Sequence, residues 1–440
     1  MSQPISRRRF LSRGASSAAA IWAVAPLVSA AKGSPNDRLS VGFIGVNNRA
    51  AANLEEVSRE TASVNVAALC DVDRTSLGQA GEKFPGARRY TDFRQLIDDR
   101  DLDAVVVSTP DHTHAVAVAR ALRAGLHVYC EKPLTRTVSE CRVVRELAAS
   151  RKLVTQLGTQ IHAGTNYRRV VELVQSGAIG AVREVHVWCG AVYGGMERPT
   201  DTPPVPAGLD WDLWLGPVEP RPYHPEYVPA KWRNWWAFGG GSLADFGCHF
   251  MDLPHWALDL RHPSVVEPVD GPSVHPESTP PWAIVRYQYP ARNAIRSGAA
   301  LPPVVLTWYH GGKQPPQLSA EQREYFKSGV LFVGDRGQLL ADYTRRQLLP
   351  EKDFEGFPAP APFLENSIGH HKEWIEAIRN GGPTTCNFDY SGALTESALL
   401  GNVAYRVGRR LEWDAIKLVA VNAPEAGQFI RHRYRKGWKL

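Results

Sequence analysis

Short apolar runs alternate with segments of helical periodicity over residues 39–158. The apolar runs are Leu39–Ile44, Val64–Cys70, Ala104–Ser108, His127–Cys130 and Val154–Leu157. Continuous apolar runs of this kind are typical of strands that are buried on both faces of a sheet. Because parallel strands are joined by crossover helices, the alternation predicts a doubly wound parallel sheet.

The pattern changes after Gly158, where strands and helices no longer alternate. Further strands are predicted at Ala283–Tyr289, Val304–Tyr309, Gly329–Gly334 and Gly337–Asp342. The chain of 440 residues is long enough for two cores. We therefore predict an α/β protein, with an N-terminal Rossmann doubly wound parallel sheet and a C-terminal α/β domain that has an open, mostly antiparallel sheet. The helix from Leu243 is expected to face the first domain.

The N-terminus has the features of an export signal. Three arginines followed by Phe-Leu within Ser6–Leu11 resemble a twin-arginine signal, and an apolar run and small residues suited to cleavage follow. A disordered basic tail or a membrane anchor is the alternative, although the apolar run is short for a transmembrane helix. We expect export to the periplasm, or otherwise out of the cytoplasm, and no stable membrane span.

Positive charge is concentrated at the two ends of the chain. Of the formal net charge of +6, four charges lie in the first 31 residues and five in residues 431–440, which leaves a net charge of −3 on the body. This distribution argues against a nucleic-acid-binding face. We interpret residues 431–440 as a solvated or subunit-packing tail, with anionic lipid or nucleic acid as the alternative partner. The six cysteines form no C-x-x-C pair, so a disulfide scaffold is not expected.

A glycine-containing turn follows the first strand. Residues 45–50 match the G-x-G-x-x-G/A pyrophosphate turn of dinucleotide-binding folds, except that Asn47 replaces the second glycine. Asparagine tolerates positive φ, so the turn can be retained; the alternative is a relic that binds nothing. Asp71 ends the second strand, where a carboxylate accepts hydrogen bonds from ribose hydroxyls and repels a 2′-phosphate, which favours NAD over NADP. A helix N-cap or a surface carboxylate is the alternative for Asp71.

Three further motifs bring charged side chains to strand ends and helix starts. They are Thr109–His114, Glu131–Pro133 and the glycine-rich turn and helix of Gly239–Asp252. In the last of these, Asp245, His249 and Asp252 stand at i, i+4 and i+7, so one helix would put all three on one face. A proton acceptor and a carboxylate in one cleft are what alcohol oxidation needs.

The order of these motifs resembles the Gfo/Idh/MocA family, the glucose-fructose oxidoreductase and inositol dehydrogenase group, over nearly all of Leu39–Asp414. The resemblance implies that Lys132 stabilises developing alkoxide charge beside the nicotinamide and that His249 is the general base. Asp245 would bind the substrate or orient the imidazole. A surface turn at Lys132 and a capped helix with a satisfied histidine are the alternatives.

The resemblance also implies the cofactor contacts. The expected cofactor-binding residues are Gly45, Asn47, Asn48, Arg49, Asp71, Thr109, His114, Glu131, Lys132 and Gln160. Asp111 or Thr113 is expected to cap the helix that follows Pro110. No metal is expected, because the two histidines of Thr109–His114 have no third ligand nearby.

We therefore expect an exported NAD-dependent oxidoreductase that acts on a sugar, polyol or glycoside by hydride transfer. Free nicotinamide nucleotide is scarce outside the cytoplasm, which favours a tightly bound cofactor, and we expect a homo-oligomer. Two alternatives stay open: an NAD-dependent glycoside hydrolase that uses transient oxidation and elimination, and a cofactor-less sugar-binding protein. The predicted division is 1–31 for the signal peptide, 36–158 for the NAD-binding domain, 159–430 for the substrate and oligomerisation domain, and 431–440 for the basic tail.

Overall fold

Six parallel strands form the first sheet of the computed structural model, which describes residues 38–440. The strands are β1 Leu39–Ile44, β2 Val64–Cys70, β3 Arg88–Tyr90, β4 Ala104–Val107, β5 His127–Cys130 and β6 Thr155–Leu157. Their order is β3-β2-β1-β4-β5-β6, which is the doubly wound order, and the prediction for this domain is confirmed. The edge strand β3 was not predicted, because it has only three residues and these are charged or partly exposed.

Helices cover both faces of this sheet. They are α1 Arg49–Ser58, α2 Arg74–Lys83, α3 Phe93–Ile97, α4 Asp111–Ala124 and α5 Val138–Arg151. Local signals set their ends: Thr137 and Glu140 form a capping box at the start of α5, and Gly125 ends α4 with a φ of 83°. The helices thus begin close to the carboxyl ends of the strands, where the candidate site lies.

The second sheet has nine strands and is mostly antiparallel, as predicted. Its domain contains β7 Val182–Cys189, β8 Val265–Asp270, β9 Ala283–Tyr289, β10 Arg292–Asn293, β11 Ala300–Leu301, β12 Val304–His310, β13 Gly329–Gly334, β14 Gln338–Ala341, β15 Arg346–Leu349, β16 Leu411–Asp414 and β17 Val419–Ala420. The order is β15-β14-β13-β7-β12-β9-β8-β16-β17, and β10 pairs separately with β11. Only β7 and β12 pair in parallel among the described strands of this sheet.

Eight further α-helices follow the first domain among the described residues, and some of them join the two domains. They are α6 Thr165–Gln175, α7 Trp211–Leu215, α8 Gly241–Phe250, α9 Asp252–Ala257, α10 Ala320–Tyr325, α11 His370–Asn380, α12 Phe388–Val407 and α13 Gly427–Ile430. The long helix α12 is buried over most of its length, and its Glu396 forms an ion pair of 2.9 Å with Arg142 of α5. Trp374 of α11 lies in the core of the first domain. The chain therefore returns to the nucleotide-fold domain after building the second sheet.

Residues 431–440, which the sequence predicts to be a solvated or subunit-packing tail, contact other parts of the same chain. The hydroxyl of Tyr434 donates to Glu140 Oε1 at 2.6 Å, and Arg435 Nε donates to the carbonyl of Gly216 at 2.6 Å. The ring of Trp438 lies 5.9 Å from that of Phe93. Charge density alone did not indicate these contacts, because aromatic residues interleaved with the charges anchor the segment.

The six cysteines are all free and buried. Within residues 38–440, no helix is both long enough and apolar enough to cross a bilayer. The predicted signal at residues 1–31 lies outside the described residues.

Four enclosed histidines make the fold sensitive to acid. Burial lowers the pKa of His112 to about 3 and those of His255, His310 and His370 to about 4. Between pH 6.5 and 4 the unfolded chain binds protons at these positions while the folded chain does not, so the free energy of unfolding falls as the pH falls. Each histidine contributes a slope of up to about 1.4 kcal/mol per pH unit.

Urea unfolding at pH 7 and pH 5 tests this expectation. The wild type should lose several kcal/mol, on the order of 1 kcal/mol or more for each enclosed histidine. His310→Gln preserves a polar side chain beside Trp308, whose Nε1 donates to His310 Nδ1 at 2.9 Å, and should flatten the dependence by one proton. Equal stability at the two pH values would show that folding does not lower the pKa of these histidines.

Candidate active site

A cavity of about 760 Å³ opens at the carboxyl ends of the parallel strands, where the strand order reverses between β1 and β4. This is the position at which open α/β sheets bind ligands, and the volume lies within the usual range for small-molecule sites. The glycine turn after β1 lines one side, and Lys132 follows β5. The second domain supplies Trp232, Arg233 and His249.

The glycine turn brings two backbones into close contact. Gly45 has a φ of 91°, and a Cβ there would lie 2.6 Å from the carbonyl oxygen of Ser108. The other positive φ of the turn, 52°, belongs to Asn48, the N-cap of α1, and not to Asn47 as our argument for the turn assumed. Asn47 instead donates from Nδ2 to Ser76 Oγ at 3.0 Å and accepts from the Asn48 N–H at 2.7 Å. Its side chain therefore ties the turn to the start of α2.

Asp71 and Asp73 have separate roles. Asp73 caps α2, accepting from the Thr75 N–H at 2.9 Å, so the N-cap alternative applies to Asp73. Asp71 lines the cavity and accepts from the N–H groups of Val46 and Asp73, each at 3.0 Å. Burial raises the pKa of Asp71, although these hydrogen bonds oppose the shift. The Asp71 carboxylate thus connects the end of β2 with the glycine turn.

Glu131 is the centre of a buried hydrogen-bond network. Its Oε1 accepts from Gln160 Nε2 at 2.8 Å, Asn53 Nδ2 at 2.9 Å and Arg49 Nε at 3.0 Å. Gln160 also donates to the Tyr129 hydroxyl at 2.7 Å. Burial alone would raise the pKa of Glu131, but the charges of Arg49 and Lys132 outweigh it and lower that pKa. The network holds Lys132 at the end of β5.

The ammonium group of Lys132 meets the carboxylate of Asp245 across the domain boundary. Lys132 Nζ lies 2.6 Å from Asp245 Oδ1, and Arg233 Nε donates to the same oxygen at 3.0 Å. The side chains of Lys132 and Asp245 are only 12% and 5% exposed. Burial would raise the pKa of Asp245, yet the two cations hold it well below the usual range. A buried carboxylate therefore fixes two cations at the cavity wall.

His249 follows Asp245 by one helical turn on α8 and lines the cavity. Burial, followed by the charge of Lys132, lowers its pKa to about 3, so the imidazole is neutral near pH 7. Its Nδ1 has no hydrogen-bond partner among the described residues. The Asp245 carboxylate is occupied by Lys132 and Arg233, and no hydrogen bond links it to His249. Asp245 therefore orients Lys132, which differs from the alternative in which it orients the imidazole.

Asp252 is not part of the site, and the single helix that we predicted for it is interrupted. Helix α8 ends at Phe250, and Asp252 begins α9. The fully buried carboxylate of Asp252 accepts from His162 Nδ1 at 3.0 Å and from the Tyr390 hydroxyl at 2.7 Å. The i+7 spacing failed because the helix register is broken at Met251.

The segment Thr109–His114 divides between the cavity and the interior. Thr109 lines the cavity, whereas His114 is fully buried and lies 2.7 Å from the Thr109 carbonyl and 2.8 Å from that of Pro133. His114 therefore supports the Lys132–Pro133 turn and offers no atom to the cavity. His112 contacts the carbonyl of Trp214 at 2.8 Å. Both histidines are thus engaged with backbone oxygens.

Two residues of the site were not among the predicted ones. Arg233, which pairs with Asp245, lies in a short 3-10 helix, Lys231–Asn234, within the tryptophan-rich loop, and no sequence pattern marks it. Asp111 was interpreted as a helix cap, but the N-cap is Pro110, and Asp111 Oδ1 is buried without a hydrogen-bond partner in the described chain. Burial raises the pKa of Asp111 well above its usual range. Because an acid in the first helical turn is typical of a helix cap, the sequence did not indicate that Asp111 lines the cavity.

Both domains match known protein-family domains. Residues 39–159 match the NAD-binding Rossmann fold of the Gfo/Idh/MocA oxidoreductase family, and residues 163–298 match the C-terminal α/β domain of that family. Together the two matches cover more than half of the chain.

The sequence identity to individual relatives and structural neighbours is low. The chain is 29% identical to an inositol 2-dehydrogenase of Salmonella paratyphi B over 150 residues, which is 34% of this chain and 45% of the dehydrogenase. The match thus spans less than half of that relative. The fold is similar to GenD2 from gentamicin A biosynthesis in complex with NAD, with a TM-score of 0.59, 19% identity and coverage of 88% of this chain and all of that chain. An aldose-aldose oxidoreductase from Caulobacter crescentus gives a TM-score of 0.57, 19% identity and coverage of 86% and 100%.

Proposed function

Because the chain belongs to the Gfo/Idh/MocA oxidoreductase family and carries its NAD-binding Rossmann domain, we propose that it oxidises a hydroxyl-bearing carbon of a sugar, polyol or glycoside, with NAD as cofactor. The observation that carries the proposal is the arrangement of Lys132, Asp245 and neutral His249 on the wall of the cavity that the glycine turn opens. The relative from Salmonella acts on inositol and the structural neighbour from Caulobacter on aldoses, which supports a polyhydroxylated substrate.

The first domain fits a dinucleotide. At Gly45 a side chain would collide with the Ser108 backbone, so the tight turn after β1 is kept, and α1 begins at Arg49, which lines the cavity. Asp71 stands at the end of β2, where a ribose would be bound. When bound, NAD supplies the hydride acceptor. The fit argues against the cofactor-less binding protein.

The chain's own residues supply proton transfer and charge stabilisation. The Lys132 ammonium, held by Asp245, would donate to the substrate oxygen and stabilise the negative charge that develops there. His249 is neutral and lines the cavity, so its imidazole can take the hydroxyl proton. Phe246 lies under Lys132, with 5.5 Å between Nζ and the ring centre, and limits access of water. The two roles together generate an alkoxide from which hydride transfer is favourable.

A segment of the second domain crosses the ribose end of the cavity. The Asp210 N–H donates to the carbonyl of Val72 at 2.9 Å, and the Arg74 N–H donates to the carbonyl of Gly208 at 3.0 Å. Pro206, Ala207 and Leu209 complete the cavity wall. These backbone contacts would have to break before a bound dinucleotide leaves, which supports the proposal that the cofactor is held tightly and recycled in place.

Replacement of Asp71 should change the choice of cofactor. In Asp71→Ser the carboxylate that repels a 2′-phosphate is lost, so the ratio of the Kd of NADP to that of NAD should fall on the order of ten-fold or more. Asp92→Ser is the matched control, because Asp92 caps α3 and does not line the cavity. Binding titrations of both nucleotides provide the measurement. If this ratio of Kd values is equal in the wild type and in Asp71→Ser, Asp71 does not contact the ribose.

We also propose that the protein is exported through the twin-arginine pathway and assembles as a homo-oligomer. Arg7 and Arg8 precede the Phe-Leu pair and an apolar run. Replacement of both by lysine should retain the protein in the cytoplasm while the charge is unchanged. Cell fractionation with immunoblotting measures the outcome, with Arg13→Lys as the control. Normal amounts of exported protein in the double variant would exclude this route.

A further inference from the structure

A second, small cavity is lined by cations and shares no lining residue with the cavity of the candidate active site. Its volume is about 60 Å³, which is room for a few water molecules or one small ion. Arg136, Arg406, Arg431 and His432 line it, and no acidic residue does. None of these four side chains has an ion-pair partner within 4.0 Å in residues 38–440.

Several nitrogens in this cavity lack partners. Arg136 donates from Nη1 to the carbonyls of Trp236 and Ala237, at 3.2 Å and 2.7 Å, but its buried Nε and Nη2 bond to nothing in the described chain. His432 Nε2 is likewise buried and unpartnered in that part of the chain. Arg Nε and Nη2 are parallel donors that match two oxygens of one oxyanion. Leaving such donors unpaired is costly, so they indicate a missing acceptor.

The surrounding charges support the same conclusion. Burial, and then the charge of Arg136, lowers the pKa of Arg406 to about 10 and that of His432 to about 3. Arg406 packs over the rings of Trp236 and Phe429, with distances of 4.9 Å and 4.0 Å. The carboxylate with the largest electrostatic effect on Arg136 is that of Glu140, which does not line the cavity and forms no ion pair with Arg136. No described carboxylate therefore lies in the cavity to neutralise its cations.

We propose that this cavity is a binding site for a small tetrahedral oxyanion such as inorganic phosphate or sulfate, held by Arg136, Arg406 and Arg431. The site is separate from the cofactor cavity but touches both catalytic segments. Arg136 follows Lys132 on the same loop, and Gly239 and Gly240 line the cavity immediately before α8, which carries Asp245 and His249. A bound anion would join the Lys132 loop to the start of α8 and stabilise their relative position.

Isothermal titration calorimetry, in which inorganic phosphate is added to the NAD-saturated protein, tests the proposal. Saturating NAD blocks phosphate at the glycine turn, and chloride keeps the ionic strength constant. We expect one saturable site, with affinity about ten-fold or more weaker in Arg406→Gln, since each hydrogen bond to a charged group contributes this much. Arg410→Gln removes the same charge from an exposed side chain outside the cavity and should bind as the wild type does.

Arg431→Gln gives a second test at a more exposed position and should also weaken binding, so the proposal stays testable even when Arg406→Gln does not fold. Absence of saturable binding to the wild type would overturn the proposal. Equal phosphate affinity in the wild type and in the folded cavity variants would also overturn the proposal, because the ion would then bind elsewhere. The comparison does not depend on catalytic activity, so it stands apart from the proposed function.

Discussion

Replacing Lys132 by alanine should reduce kcat/KM on the order of 10²-fold or more. The ammonium group is the cation nearest the substrate oxygen in our account, and Asp245 Oδ1 holds it at 2.6 Å. Its removal takes away the stabilisation of the developing alkoxide and leaves Asp245 with Arg233 alone. Steady-state oxidation of the best substrate, with NAD affinity measured in parallel, separates lost chemistry from lost binding.

Lys352→Ala is the matched control, since Lys352 is an exposed lysine outside the cavity. It should retain wild-type rates. His249→Ala should lose activity to a similar extent, and because the two residues act on one oxygen, Lys132→Ala with His249→Ala should lose little more than either alone. Near-wild-type activity in both single variants would mean that the reaction takes place elsewhere.

Replacing Gly45 by alanine should weaken NAD binding on the order of 10²-fold. The added Cβ would lie 2.6 Å from the Ser108 carbonyl, and a φ of 91° is strained for alanine, so the turn must move away from the pyrophosphate position. Displacing backbone donors from a phosphate costs several hydrogen bonds at once. The Kd of NAD, measured by titration, reports the loss.

Gly86→Ala adds the same methyl group at a position with no atom within 4 Å of the new Cβ. It should leave both NAD affinity and stability unchanged. Thermal unfolding of Gly45→Ala without cofactor distinguishes a local defect from general misfolding, since a local defect moves the Kd far more than the unfolding temperature. Unchanged NAD affinity in Gly45→Ala would show that the turn is a relic.

The first domain was predictable because its central strands are mainly apolar runs, and β2 and β5 are followed by the polar residues Asp71 and Glu131, which line the cavity. Asp71 could be recognised from its position at a strand end, and Lys132 from the resemblance of its motif to that of the family; both line the cavity. The parts that failed depend on contacts between distant segments. Asp252 has suitable spacing, but its buried partners His162 and Tyr390 are remote in sequence.

Arg233 shows the same limit. It lies in a tryptophan-rich loop with no periodicity, and only the packing of that loop against α8 brings its Nε to 3.0 Å from Asp245. His114 lies in the motif that predicts a cofactor contact, but in the folded protein its ring contacts the carbonyls of Thr109 and Pro133. Sequence patterns locate backbone positions well, whereas side-chain partners across domains need the assembled structure.

The most direct test of the central claim is a single-turnover experiment. Protein loaded with NAD, without added nucleotide, is mixed with inositols, aldoses and aryl glycosides, and the fluorescence of reduced nicotinamide is followed in wild type and Lys132→Ala. In the wild type we expect at least one polyhydroxylated substrate to reduce the bound NAD stoichiometrically, and in the variant we expect this reduction to be slower on the order of 10²-fold. Reduction at equal rates in both proteins, or bound NAD that no such substrate reduces, would contradict it.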